Sequence, residues 1–192
     1  FLSNEMLLIA GLGNPGSSFT KTRHNIGFEI LDSLHSEYKF GKFSEKFDGL
    51  FSKTQIFDQN VILFKPMKYM NLSGLPLYKI INFYNIDYEN NLIVIHDDLD
   101  MDFSKIKIKS SGGHGGHNGV RNIIDYIGNK FYRIKIGIKN KQIIDKKKLP
   151  TKFVLENFEK SEIKKVNIIK KNFVNNFQLI VEKKFSLIDN KP

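Results

Sequence analysis

Met6-Leu-Leu-Ile-Ala-Gly-Leu-Gly-Asn-Pro-Gly16 is the stretch from which the fold is read. Met6 to Leu12 is a short apolar run closed by glycine and proline, the pattern of a strand buried on both faces. Strands of that kind need helices on either side, which predicts an α/β domain. Working outward, Ile26, Ile30, Leu31 and Leu34 recur at helical spacing. They predict a helix from Asn25 to about Tyr38 that exposes Glu29 and His35. Leu50 to Phe57 and Val61 to Phe64, parted by Asp58-Gln59-Asn60, read as a hairpin that Pro66 ends. Leu77, Ile80, Ile81 and Tyr84 predict a second helix, and Leu92-Ile-Val-Ile95 a second buried strand that delivers His96 and Asp97 at its C-terminal end.

Ile106-Lys-Ile-Lys109 alternates like a half-exposed strand. A helix is expected from about Asn118 to Ile127 and a strand from Tyr132 to Ile138. Lys139 to Lys152 reads as a basic, mobile connection. Ser161 to about Lys184 then carries Ile163, Val166, Ile169, Phe173, Phe177 and Ile180 on one long amphipathic helix. Neither a repeat nor a second domain is evident, so residues 1–192 read as one domain, with 1–5 as an N-terminal extension.

The 192 residues, 41% hydrophobic and including 17 Phe, suffice for one substantial core. The absence of Cys excludes a disulfide frame, a thiolate nucleophile and a zinc–thiolate site, and fits the cytosol. The early apolar run is far shorter than the roughly 20 residues of a membrane span, and no export signal is read. A net charge of +10 favours a polyanionic partner. A compositional bias is the competing explanation, because every basic residue except Arg23, Arg121 and Arg133 is lysine, and Ile, Asn and Phe are also abundant.

Chemistry gathers in four polar clusters: Gly11 to Asn25, Met70-Asn-Leu-Ser-Gly74, His96-Asp-Asp-Leu99 and Gly112-Gly-His-Gly-Gly-His-Asn-Gly119. A histidine with a carboxylate partner and several neutral amides is the inventory of a general-base hydrolase, since imidazole titrates near neutrality. Gly11-Leu-Gly-Asn-Pro-Gly16 also fits the dinucleotide fingerprint, but Pro15 and a long polar loop stand where a helix should open against the pyrophosphate. His96, His114 and His117 with Asp97 or Asp98 offer metal-ligand chemistry, though the His-x-x-His spacing falls among glycines rather than on a rigid helix. Each residue alone has a plainer role: His24 as a polar helix entry, Asn71 as a helix cap, Asp97 as a lysine partner, His114 bonded within its own loop.

Together, Gly-Leu-Gly-Asn-Pro-Gly with Thr-Arg-His-Asn, Tyr-Met-Asn-Leu-Ser-Gly, His-Asp-Asp-Leu-Asp and Gly-Gly-His-Gly-Gly-His-Asn-Gly resemble the bacterial peptidyl-tRNA hydrolase family over about Leu7 to Ile138. The resemblance implies a monomeric α/β domain with a twisted mixed sheet between helices. It also implies cleavage of the ester between a peptide and the 3′-terminal ribose of tRNA, without metal or other cofactor. On it, His24 is the general base, Asp97 its supporting carboxylate and Asn14 the amide that distinguishes N-blocked from free aminoacyl groups. Asn71, Asn118, Met70 and His117 are implied to bind the substrate's peptide end, and Phe19 and Tyr69 its terminal nucleotide. Lys109 with Lys135, and Arg133 beside them, are implied to grip the 5′-phosphate. Phe19 stands where the family often has tyrosine and Lys135 where it has arginine, so a hydroxyl and a planar fork are lacking. Two other classes compete: a non-catalytic RNA-binding relative, and a nucleotide-dependent oxidoreductase resting on the glycine motif.

Overall fold

The computed structural model describes residues 5–188; the expected N-terminal extension lies almost wholly outside them. Among the described residues seven strands form one mixed sheet: β1 (Met6–Gly11), β2 (Ser44–Lys46), β3 (Gly49–Ile56), β4 (Gln59–Pro66), β5 (Leu92–Asp102), β6 (Ile106–Lys109) and β7 (Tyr132–Lys139). Their order is β2-β3-β4-β1-β5-β7-β6. The four central strands, β4, β1, β5 and β7, run parallel, while the edge pairs are antiparallel. Alternation along β1 divides the core between the sheet's two faces. Leu7 and Ile9 pack with Ile26, Ile30 and Leu34 of α1 (Ile26–Glu37) and with Val166 and Phe173 of α7 (Lys160–Asn175). Leu8 and Ala10 pack with Leu77 and Ile80 of α2 (Gly74–Tyr84) and with Val120 and Ile123 of α4 (Asn118–Ile127).

Three expectations are corrected. β5 does not stop at Ile95: it continues through His96, Asp97 and Asp98, whose backbone pairs with Lys135, Ile136 and Gly137 of β7. Glu29 and His35 are half-buried, because Lys170 lies 3.8 Å from Glu29 and the His35 ring stacks on Phe43 with centroids 4.2 Å apart. The C-terminal helix is two helices, α7 and α8 (Phe177–Val181), parted at Asn176, whose side-chain amide bonds back to the Asn172 carbonyl. Between β7 and α7 the basic connection is built of α5 (Lys141–Ile144), capped by the Asn140 side chain, and α6 (Pro150–Phe153), opened by its proline. Among the described residues the remaining α-helix is the single turn α3 (Tyr88–Asn91).

One close approach brings α1 to the sheet. A Cβ on Gly27 would stand 2.5 Å from the Ile95 carbonyl oxygen, and one on Gly11 would stand 2.3 Å from the Gly27 oxygen. Glycine at both positions lets the start of α1 lie directly on β1 and β5. The segment just before α1 therefore reaches the polar end of β5.

Candidate active site

Two 3-10 turns, Ser17–Phe19 and Arg23–Asn25, fill the loop after β1, and α1 starts only at Ile26. A helix does not open inside the glycine motif. The second turn carries His24. Its Nδ1–H donates to Asp97 Oδ2 at 2.8 Å, with Oδ1 at 2.9 Å. His117 Nε2 donates to Asp97 Oδ1 at 2.9 Å. The tautomers follow from the remaining partners: His117 Nδ1 accepts the Val120 N–H at 3.2 Å, so its proton sits on Nε2. Asp97 thus accepts from two imidazoles, and Nε2 is the His24 ring nitrogen left without a hydrogen-bond partner among the described residues.

Electrostatics reinforce that assignment. Burial opposes the charge on Asp97, yet the His24 and His117 charges and hydrogen bonds hold its pKa well below the usual carboxylate range. Burial also works against protonated His24, but the Asp97 carboxylate outweighs it and raises the imidazole pKa. His96, one residue away, behaves in the opposite way. It is 2% exposed, and burial together with the His117 charge lowers its pKa to about 3. Its Nδ1–H donates to the Asp97 carbonyl at 2.7 Å, which fixes it as a neutral prop rather than a base.

These groups line a cavity of about 600 Å³ together with Asn14, Met70, Asn71, His114, Asn118 and the Pro150–Leu155 segment. Asn14 is locked from three sides. Its Oδ1 accepts the Met70 N–H at 2.7 Å, its N–H donates to Asn25 Oδ1 at 2.8 Å, and its carbonyl accepts Asn25 Nδ2 at 3.0 Å. The Asn14 amide donor, Nδ2, is therefore the side-chain atom left for a ligand. Asn71 and Asn118 are exposed on the same cavity. Asn71 does not cap α2; the first α2 amide, Gly74 N–H, is held by Asn122 at 2.7 Å. His114 Nδ1 accepts the Gly116 N–H at 2.9 Å and so shapes its own loop. His117 lines the cavity too and is engaged at both nitrogens, supporting Asp97 and capping α4.

The residues expected at the nucleic-acid end part company. Tyr69 is 59% exposed and meets Phe19 edge to face with centroids 6.4 Å apart, so it is not a core residue. Lys107, Lys109, Arg133 and Lys135 share one sheet face through the β6–β7 register. Arg133, however, is 2% exposed and donates to the carbonyls of Gly112, Gly113 and Asn129, holding the glycine loop in place of a phosphate. Lys135 lies 2.8 Å from Asp98. Burial opposes the Asp98 charge, but Lys135 and the Asp100 N–H keep its pKa below the ordinary value. Lys109 makes no ion pair among the described residues. Asn25, which holds Asn14, was not singled out from sequence; a repeating Asn-to-Asn exchange across eleven positions leaves no local pattern.

His24, Asp97 and His117 also bring ligand atoms within 4.8 Å of one another, a set unlike the His96, His114 and His117 grouping drawn from sequence. Ligating a cation there would strip the protons that both imidazoles now donate, since metal and proton compete for the same lone pair. A carboxylate-backed imidazole at the end of a mixed sheet, ringed by neutral amides, defines a hydrolase of acyl groups. The comparisons agree. The profile described as Peptidyl-tRNA hydrolase matches residues 8–191. The peptidyl-tRNA hydrolase of Rickettsia prowazekii is 41% identical over 191 residues, covering 97% of this chain and 99% of that protein. That of Fusobacterium nucleatum is 47% identical over 137 residues, 71% of this chain and 72% of the other. The crystal structure of peptidyl-tRNA hydrolase from Acinetobacter baumannii superposes with a TM-score of 0.84 at 34% identity, covering 97% of this chain and 93% of that one. The chain belongs to the peptidyl-tRNA hydrolase family.

Proposed function

We propose that the protein hydrolyses the ester between a peptide, or an N-blocked aminoacyl group, and the 3′-terminal ribose of tRNA, with His24 Nε2 as general base. The observation that carries this reading is the double donation into Asp97, which leaves His24 Nε2 as an acceptor on the cavity. Nε2 takes a proton from water as the water oxygen attacks the ester carbonyl. The imidazolium formed is stabilised by Asp97 and returns that proton to the departing ribose oxygen. Asn118 or Asn71 supplies an N–H to the oxyanion. Asn14 Nδ2 donates to a peptide carbonyl, a contact that a free ammonium group does not reproduce.

Tyr69 and Phe19 offer faces to the terminal nucleotide, and aromatic–base stacking contributes about 1–3 kcal/mol per base. Lys109, with the exposed Lys107 beside it on β6, offers positive charge to phosphate. Lys135 is a weaker candidate for that grip because Asp98 already holds its ammonium. None of the described helices is long and apolar enough to cross a membrane, and recycling of tRNA by a cytoplasmic monomer is the setting that suits this chemistry.

The test is hydrolysis of N-acetyl-aminoacyl-tRNA beside free aminoacyl-tRNA, with and without chelator. Cleavage of the blocked substrate alone, at the same rate in chelator, is expected. Cleavage of both substrates would remove the Asn14 role, loss of activity in chelator would move the chemistry to a metal, and binding without cleavage would make the protein an RNA-binding relative.

A further inference from the structure

The residue before the base is a buried arginine. Arg23 is 1% exposed, in a turn whose next side chain lines the cavity. Its guanidinium carbon lies 3.8 Å from the Phe153 ring centroid, Nη1 donates to the Phe153 carbonyl at 3.0 Å, and Nη2 donates to Glu162 Oε1 at 3.3 Å. The backbone repeats the attachment: Arg23 N–H donates to the Glu156 carbonyl at 3.0 Å and His24 N–H to the Val154 carbonyl at 2.9 Å. Thr22 and Asn157 form an isolated β-bridge next to them.

The partners on the far side are not incidental surface. Pro150, Thr151, Val154 and Leu155 form one wall of the catalytic cavity. Glu162, 6% exposed, is the inner residue of the capping box that starts α7, and its second oxygen accepts Asn140 Nδ2 at 3.4 Å. Asn140 in turn caps α5. One guanidinium therefore ties the turn bearing His24 to the cavity wall, to the start of α7 and, through Asn140, to the start of α5.

We infer that Arg23 is a positioning residue for the hydrolysis: it sets His24 against the 150–155 wall, and so fixes the distance between the base and a substrate held on that wall. The inference rests on the reading of His24 as the base. Small displacements of a reacting group lower rates steeply while leaving binding nearly unchanged, so the effect belongs in kcat. A buried arginine could instead serve the fold alone, and the experiment separates the two. Arg23→Met leaves the Glu162 carboxylate buried without its cation and is expected to be unstable. Arg23→Met combined with Glu162→Gln removes that charge and keeps an acceptor for the α7 cap.

Thermal unfolding and steady-state hydrolysis of N-acetyl-aminoacyl-tRNA are measured for wild type, both variants and His24→Ala. The double variant is expected to regain most of the Tm lost by Arg23→Met, while its kcat stays about tenfold or more below wild type with KM within about twofold. Recovery of kcat along with Tm would overturn the inference, as would a raised KM at unchanged kcat. An active His24→Ala would instead overturn the base assignment, which keeps the two failures apart.

Discussion

Arg23 and His24 occupy one 3-10 turn and face opposite surroundings. His24 reaches a polar cavity and pairs with a carboxylate whose two oxygens are shared between imidazoles. Arg23 reaches the interior and pairs with a carboxylate already committed to a helix cap. The first pair keeps one imidazole nitrogen free on the cavity, and its carboxylate raises the His24 pKa above the ordinary value; the second spends both terminal guanidinium nitrogens on interior acceptors. Adjacent residues thus divide the work. On the proposed reading, one moves a proton and the other holds the turn from which it is moved.

The strongest way to break that division is at His24. His24→Ala is expected to lower kcat on blocked aminoacyl-tRNA on the order of 10³–10⁴-fold while tRNA affinity, read by filter binding, is unchanged. Arg23→Met is expected to act on stability instead, by about 3–5 kcal/mol in urea unfolding, the usual consequence of leaving one partner of a buried pair unpaired. If Arg23→Met were as stable as wild type, the buried guanidinium would not be what joins the turn to α7.

A gentler probe sharpens the contrast between imidazoles. In the unfolded chain His96 takes a proton below about pH 6.5, whereas in the folded chain it stays neutral down to about 3. Its contribution to stability is therefore full above 6.5 and is lost as pH falls toward 3. His96→Asn is expected to flatten the stability curve over that window relative to wild type; parallel curves would show that His96 is protonated in the native state. The smallest effect is expected at the edge of the sheet, where Lys109→Ala should weaken tRNA binding modestly and lower the slope of log affinity against log salt by about one. An unaltered slope would remove Lys109 from the tRNA contact.

Apolar pattern carried most of the fold into the sequence. Strands β1, β6 and β7 and helices α1 and α4 are legible to within one or two residues, β1 as an unbroken apolar run, β6 by alternation and α1 by helical spacing, and the core positions of α2 announce that helix. β2 is not, since Ser44–Lys46 is exposed and shows no apolar pattern, its strand being defined by pairing with β3. β5 was cut short because His96, Asp97 and Asp98 interrupt the apolar run while the backbone ladder continues. Motif resemblance pointed to His24, Asp97, Asn14, Asn71 and Asn118, and all five line one cavity. What could not be read was which polar atoms satisfy one another. Arg133, which the resemblance places beside the phosphate grip, spends its Nη donors on carbonyls of the glycine loop. His117 and Asn25 support the site through contacts 20 and 11 residues away in sequence, which no local pattern announces.

The central claim is that His24, backed by Asp97, takes the proton. The measurement that tests it most directly is the pH dependence of single-turnover hydrolysis of N-acetyl-aminoacyl-tRNA by wild type and Asp97→Asn. The wild-type rate should rise with pH through loss of one proton, with a midpoint above the ordinary histidine value of 6.5, because Asp97 raises the His24 pKa. Asp97→Asn should be slower by roughly 10²–10³-fold, with that midpoint moved to lower pH. Midpoints that coincide in the two proteins would contradict the assignment of Asp97 as the partner of the base.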